Sequence, residues 1–301
     1  MPLDPKSLQL FISVVEEGTI AAAAAREHIA PAAVSKRLSE LEVELQTQLF
    51  IRSNKGVEPT TAGVNLVNLA RRILHDMEDV YAQMREDTSG ARGYVRIFAN
   101  ISAITQFLPS ELNRFLAKHP QVQVTIEERI STVITKAVFE NVADVGLFTL
   151  GAPAQNLKIF PYRKDELVLI VPKKHPLSSR RSISMQDILD FEFVGLHSGS
   201  WINSQLMKAA TECGRTMKLR IQVTGFDTLC LMVEAGLGIG ILPKNSAKPY
   251  QRALRVKTIA LNEPWAHRNL AICVRSYEGL SAASRLLVDH LLASASGHDS
   301  K

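Results

Sequence analysis

Apolar positions in the first sixty residues recur with the period of a helix. Leu8, Phe11, Ile12 and Val15 fall at i, i+3, i+4 and i+7 and predict an amphipathic helix. Gly18 ends it, and Thr19 is placed to cap a second helix, Ile20 followed by five alanines. Those alanines favour helix and let a neighbour lie close. His28, Ile29 and Ala30 form a turn, and Pro31 fits the first position of a third helix, where its missing N–H costs nothing. Val34, Leu38, Leu41 and Leu45 then make an apolar stripe, leaving Ala32, Ala33, Ser35, Lys36 and Arg37 to share the exposed N-terminal part. Leu49 and Phe50 lead into Arg52-Ser53-Asn54-Lys55-Gly56, which reads as a hairpin tip. Three short helices and a hairpin predict a helix-turn-helix with a wing.

The pattern then lengthens. Thr60 can cap a helix running to about Asp87, along which Gly63, Leu66, Ala70, Ile73, Met77, Val80 and Met84 are spaced alternately three and four apart. At 1.5 Å per residue this is a rod of roughly 40 Å, too long for the small N-terminal unit to bury alone. Leu66, Ala70, Ile73, Met77, Val80 and Met84 are therefore assigned to a seam with a second copy. Packing against the chain's own C-terminal half is the alternative. Thr88 to Gly93 is a linker by composition. Beyond it the period changes. "YVRIFA", "VQVTIEE", "DVGLF", "LVLIVP", "FVGL" and "LAICV" are short β-branched runs separated by helical stretches such as Pro109 to His119 and Phe226 to Gly236. That alternation predicts α/β with largely parallel sheets.

Composition narrows the classes. The chain has 301 residues, 46% hydrophobic and 22% charged, as expected of a soluble protein of two or three domains. No apolar run approaches the ~18 residues of a membrane span, and the N-terminus carries no secretory pattern, so a cytoplasmic location without membrane partners is expected. Three scattered cysteines, Cys213, Cys230 and Cys273, read as reduced, buried small hydrophobes. The net charge of +5 is not evidence for nucleic-acid binding by the N-terminal segment, because residues 1–59 hold six bases against eight acids. Position matters more: five of those bases fall between Arg26 and Lys55. No metal-ligand spacing, no G-x-S-x-G and no nucleophile with a nearby base is present, so no cofactor, metal or catalytic residue is expected. "GLGIG", Gly236 to Gly240, follows a helix rather than a strand and is read as a helix end, not a phosphate loop.

The stretch "LQLFISVVEEGTIAAAAAREHIAPAAVSKRLSELEVELQTQLFIRSNKGVEPTTAG" resembles the N-terminal domain of LysR-type transcriptional regulators. Phe11, Val14, Glu16, Gly18, Ala33, Val34, Ser35, Leu41, Glu42, Leu45, Leu49, Phe50, Arg52, Thr60, Ala62 and Gly63 carry the resemblance. The chain departs from the pattern at Ala30-Pro31-Ala32, where the family usually has Ser-Gln-Pro, and at Gln46, where it usually has Gly. The resemblance implies a double-stranded DNA operator as partner, contacted by Ala32, Ala33, Ser35, Lys36 and Arg37 on the third helix and by Arg52 and Lys55 on the wing. With the family's Gln absent, base reading should lean on Ser35, Lys36 and apolar contact of Ala32 or Ala33 with thymine methyls. Arg37 has the alternatives of a solvated position or an ion pair with Glu40. Arg52 and Lys55 have the alternative of plain surface charge.

The second half is similar to the effector-binding half of the same family, itself like periplasmic binding proteins: two α/β lobes with a cleft. Its marks are "VRIFANISAITQFLP", "FLAKHPQVQVTIEE", "ADVGLF", "LVLIVPKKHPL" and "MVEAGLGIGILP". The expected division is a winged helix-turn-helix over 1–59, a linker and dimerisation helix over 60–92, and an effector-binding domain over 93–301. Within it, lobe I covers about 93–164 and 268–297 and lobe II about 165–267, the chain crossing near Arg163–Asp165 and returning near Arg268. Strand ends and helix starts in such folds meet ligands. They nominate Asn100, Ser102, Ser131, Thr132, His197, Ser198, Ser200, Trp201, Gly225 and Phe226 as contacts for a small organic anion. By the resemblance, Ser102 stands where a hydroxyl often meets a carboxylate. A homodimer, assembling to a homotetramer, and RNA polymerase complete the implied partners. Against a ligand-responsive regulator stand a constitutive DNA-binding protein with a vestigial ligand domain and a small-molecule enzyme.

Overall fold

Asp4 sets the first helix: its carboxylate accepts hydrogen bonds from the N–H groups of Lys6 and Ser7, and Pro5 follows at the first helical position. The computed structural model describes residues 3–53, 56–84 and 93–296, and the chain divides into two units between Ser89 and Gly90. In the first unit, α1 (Pro5–Glu17) stops at Gly18, whose left-handed φ of 70° lets its N–H return to the Val14 carbonyl. Thr19 Oγ1 accepts from Ala22 N and starts α2 (Ile20–Arg26). Helix α3 (Pro31–Glu44) has Ala30 at its N-cap with no side-chain bond to the first turn. It ends through Gln46, which takes the left-handed conformation at φ 49° where glycine is the usual choice. Glu42 on α3 accepts from the N–H groups of Leu49 and Phe50 and so seats the wing, β1 (Phe50–Ser53) antiparallel to β2 (Gly56–Pro59). Asn54 and Lys55, the expected tip, lie outside the described residues.

Helix α4 (Thr61–Met84) starts from Thr60, whose Oγ1 accepts from Gly63 N. Gly63 has a local reason to be glycine: a Cβ there would stand 2.3 Å from the Leu49 carbonyl oxygen. The apolar stripes of α1, α2 and α3 close over Leu8, Phe11, Val14, Ala24, Val34, Leu38 and Leu41, and α4 adds Leu66, Val67 and Ala70 to the same core. The expected end of this helix near Asp87 and the linker Thr88 to Arg92 lie outside the described residues.

The second unit begins with β3 (Gly93–Ala99), α5 (Ile101–Gln106), α6 (Leu108–Lys118), β4 (Val122–Glu128), α7 (Ser131–Phe139) and β5 (Val145–Thr149). Strand β6 (Lys158–Pro172) leads to β7 (Ser182–Ile183), α8 (Met185–Ile188), β8 (Glu192–Leu196), α9 (Trp201–Glu212), β9 (Lys218–Val223), α10 (Phe226–Glu234), β10 (Gly240–Pro243), α11 (Lys244–Ala253) and β11 (Val256–Leu261). The chain returns in β12 (His267–Val274) and ends in α12 (Ala282–Ser296). Two layers of apolar side chains flank β3, β5 and β12, one with α6 and α12, the other with α7. A separate core, with Leu169, Phe193, Leu206, Leu229 and Leu242 among its members, holds the elements between β6 and β11. These are two lobes.

The sheet corrects one expectation. Strands β3 and β4, β3 and β5, β8 and β9, and β11 and β7 are parallel. Strand β12 is antiparallel to both β5 and β6, and β6 is antiparallel to β10 and β11. The largely parallel sheets read from the alternation are thus mixed. The reason is the crossing: β6, fifteen residues long, runs from one lobe into the other and β12 runs back beside it, with Arg268 opposite Asp165.

Candidate functional site

The first turn of α3 is exposed at Pro31, Ala32, Ala33, Lys36 and Arg37, with Ser35 half-buried between them. Nothing bulkier than Pro31 precedes Lys36 on this tip, so a groove wall can approach the backbone closely. The two bases differ in freedom. Arg37 donates to the Asp4 carboxylate at the start of α1. Lys36 stands 3.9 Å from Glu40, one turn on, with its side chain 77% exposed. The expected Arg37–Glu40 alternative is therefore corrected: Glu40 pairs with Lys36, and Arg37 reaches back to Asp4. Arg26 pairs with Glu16 and Glu17, Arg71 with Glu16 and Lys6 with Glu27, so acids on neighbouring elements hold these other bases. The Arg26 pairs run between exposed or half-exposed side chains, an arrangement worth little in stability. The side chain of Arg52 and all of Lys55 lie outside what the structure describes.

The α4 stripe splits in two. Leu66 and Ala70, assigned to the seam, are buried in the unit's own core and are corrected to that role. The reason is that α4 packs across α1, so the first half of its stripe is already covered. Ile73 and Val80 are exposed, 40% and 58%, and with Met77 and Tyr81 they line a shallow apolar groove beside Asp76. The side chain of Met84 lies outside the described residues.

Between the two lobes of the second unit lies a narrow cleft, partly open to solvent, with a cavity volume of about 30 Å³. Six nominated residues line it: Asn100, Ser102, Ser131, His197, Ser200 and Trp201. Asn100 caps α5, its Oδ1 accepting from Ala103 N at 2.9 Å, and its Nδ2 donates to Thr149 Oγ1 at 3.0 Å. Thr149 N in turn donates to Ser131 Oγ at 3.2 Å. One strand end thus fixes the starts of both α5 and α7. Helices α7 and α9 both begin at the cleft, and neither N-cap, Ile130 or Ser200, makes a side-chain bond to its first turn. Their leading N–H groups remain available to an acceptor.

Four nominated residues do not line the cleft and are corrected. Thr132 and Ser198 are exposed elsewhere on their turns. Gly225 is the N-cap of α10, and Phe226 is 2% exposed in the core of lobe II. The strand-to-helix junction there faces inward because Phe226 opens the apolar stripe of α10.

The sequence pattern does not single out Arg268 as a ligand contact, yet it belongs to the cleft. It lines the cleft, and its side chain is 3% exposed. Its Nε donates to Asp165 Oδ2 at 2.8 Å, and Nη2 donates to the same oxygen and to Ser102 Oγ at 2.6 Å. The ring of Trp201, from the opposite lobe, lies 5.3 Å from the guanidinium carbon. Burial pulls the Arg268 pKa below its ordinary value while Asp165 pushes it back. At the rim, burial pushes the Glu128 carboxyl above the usual carboxylate range against the pull of His197. The only signal for Arg268 in the sequence was its place at the return crossing.

Among the described residues no cluster of His, Cys, Asp and Glu could hold a metal ion, and no helix is long and apolar enough to cross a membrane. Residues 5–64 match the family model of the bacterial regulatory helix-turn-helix protein, lysR family, and residues 88–296 match the LysR substrate binding domain. The chain is 27% identical over 280 residues to the uncharacterized HTH-type transcriptional regulator YbhD of Escherichia coli (strain K12), covering 92% of this chain and 87% of that one. It is 26% identical over 270 residues to the HTH-type transcriptional regulator AlsR of Bacillus subtilis (strain 168), covering 87% and 89%. Among solved structures, full-length CbnR complexed with its target DNA superposes with a TM-score of 0.74 at 20% identity, over 97% of this chain and 100% of that one. The effector binding domain of QuiR in complex with shikimate superposes with a TM-score of 0.61 at 20% identity, over 69% and 99%.

Proposed function

The chain belongs to the LysR family of DNA-binding transcriptional regulators, and from that premise we propose that a small organic anion bound in the interlobe cleft controls how it engages its operator. It is a regulator and not an enzyme, with a helix-turn-helix domain and an effector-binding domain. The observation that carries the proposal is the donor set of the cleft. Two helix N-termini without side-chain caps, α7 from one lobe and α9 from the other, open onto it together with the Ser102 hydroxyl and the Arg268 guanidinium. Donors from opposite lobes meeting in one place suit a ligand that bridges them, as in binding proteins that close on their ligand.

On the DNA side, Ala32, Ala33 and Ser35 meet base edges in a major groove, and Lys36, expected to share in base reading, meets phosphate, since its side chain is 77% exposed and 3.9 Å from Glu40. The wing's Arg52 and Lys55 contact the backbone or minor groove. Ile73, Met77, Val80 and Tyr81 pair α4 with a second copy, because four large apolar or aromatic side chains in one exposed groove are unusual on a helix that stays alone. RNA polymerase is the partner through which such a dimer, or a tetramer of two dimers, would act on transcription.

The test is a thermal-shift screen of small organic acids on the full chain, with hits confirmed by calorimetry on the wild type and Ser102→Ala. The lost hydrogen bond to a charged group is worth roughly 1.5–3 kcal/mol, so affinity should fall about tenfold or more. An unchanged affinity would remove Ser102 from the site.

A further inference from the structure

The cleft's donors call for an anion, and its charges limit which anion. Two cations, Arg268 and Arg129, line it. Arg268 already faces Asp165, buried beside it, and Arg129 already faces Glu127 at 2.6 Å. A third carboxylate, Glu128, lines the cleft as well and is exposed at its rim. Among the described residues that line the cleft or bond to those that do, two arginines therefore stand against three carboxylates, with His197, whose Nδ1 bonds the Ser198 carbonyl, as the one further titratable group. The cleft holds strong donors without a positive surplus.

The guanidinium geometry says where one negative charge fits. Nε and Nη2 of Arg268 are committed to Asp165 and Ser102. Nη1 makes no hydrogen bond among the described residues, and Arg268 lines the cleft. Ser102 Oγ accepts from Arg268, so its own proton is left to donate. One carboxylate can take Nη1, the Ser102 hydroxyl and a helix N–H together. A second negative charge finds both arginines already paired with carboxylates, and meets Asp165 through the shared guanidinium or Glu128 at the rim. Like charges in a partly dry site disfavour each other strongly.

Resting on the reading of the cleft as the effector site, we propose that it selects a small monocarboxylate over dicarboxylates and phosphate esters, with Asp165 and Glu128 as the residues that reject the second charge. Arg268 anchors the ligand, and Asp165 sets how much negative charge that anchor accepts.

The experiment is calorimetry on the full chain with charge-matched probe sets: benzoate, phthalate and phenyl phosphate in one, butyrate and succinate in the other. The expected result is that the monocarboxylate of at least one set binds ten times or more tighter than its dianionic partners. Glu128→Gln and Asp165→Asn should each narrow that ratio several-fold, since each removes one opposing charge. Glu128→Gln sits at the exposed rim, so it decides the matter if the buried Asp165→Asn chain does not fold. A dianion that binds as tightly as its monocarboxylate in the wild type, or a ratio that Glu128→Gln leaves unchanged, overturns the charge argument while leaving an effector site in place. If no probe in either set binds, the effector reading of the cleft itself fails, and the selectivity with it.

Discussion

Replacing Lys36 and Arg37 one at a time by alanine should have unequal effects on DNA binding, although the two are neighbours on the same helix tip. Lys36 is 77% exposed on its side chain, and its Glu40 contact at 3.9 Å is a loose i,i+4 pair. Such a pair is worth about 0.3–0.5 kcal/mol, so Lys36 can leave it for phosphate at small cost. One phosphate contact on duplex DNA contributes about 0.9 to the slope of log K against log salt. At 0.15 M salt that corresponds to about 0.7 of a log unit, or roughly fivefold in affinity. Arg37 must first give up a direct bond to Asp4, so Arg37→Ala should lose less, with a slope change well under half of that. Asp4→Asn frees Arg37 while keeping a residue type that caps α1, and should raise the slope toward one additional contact. The assay is fluorescence anisotropy with a duplex that the protein itself selects from a random pool, titrated at several salt concentrations. Equal slope losses in Lys36→Ala and Arg37→Ala would mean that DNA opens the Asp4 pair. A wild-type slope in Lys36→Ala would refute the assignment of Lys36 to phosphate.

Other outcomes follow from the two ends of α3 and from α4. Ala30 has the extended backbone of an N-cap but no side chain to use it, so Ala30→Ser should stabilise the DNA-binding domain by ~1 kcal/mol in thermal unfolding. Gln46→Gly relieves a left-handed residue costing about 1–2 kcal/mol and adds glycine's entropy of about 0.5–1, leaving a net gain near 0.5 kcal/mol; a loss of stability would mean the Gln46 side chain makes contacts that matter more. Ile73→Asp sets a carboxylate in the proposed seam, and light scattering should report loss of the dimer; an unchanged mass would reject the seam. Pro31→Gln places a group able to pair with adenine at the exposed tip of α3, and should change the selected operator sequence more than total affinity. Identical consensus sequences would show that this tip does not read bases.

What the sequence disclosed was local. Gly18, Thr19, Pro31 and the stripes of α1 and α3 each act within a few residues, and the helix-turn-helix could be read from them. The heptad along α4 was visible, but a period of three and four says only that one face is apolar. It cannot separate Leu66 and Ala70, which are buried in the domain's own core, from Ile73 and Val80, which are exposed on α4. Strands β9 and β11 escaped because neither forms a β-branched run: β9 alternates Lys218, Arg220 and Gln222 with Leu219, Ile221 and Val223, and β11 breaks after Val256 at Lys257. Arg268 escaped for a different reason. Its partners, Asp165 and Ser102, lie 103 and 166 residues away and meet it only because β6 and β12 cross between the lobes side by side. No spacing rule reaches that far. Phe226 shows the opposite case: a helix start reads as a ligand contact, yet its first side chain belongs to a core.

The claim that an anion in the cleft governs the DNA-binding half is tested most directly by measuring the affinity of one confirmed ligand for the full chain with and without its selected operator duplex. Coupling between two sites is reciprocal in binding free energy, so a ligand that alters operator binding must itself bind differently when operator is present. The account predicts a difference of about fivefold or more, in the range typical of such coupling, and its loss in Ser102→Ala at ligand concentrations that saturate the wild type. Equal ligand affinity with and without operator, in a chain that binds both, would contradict it.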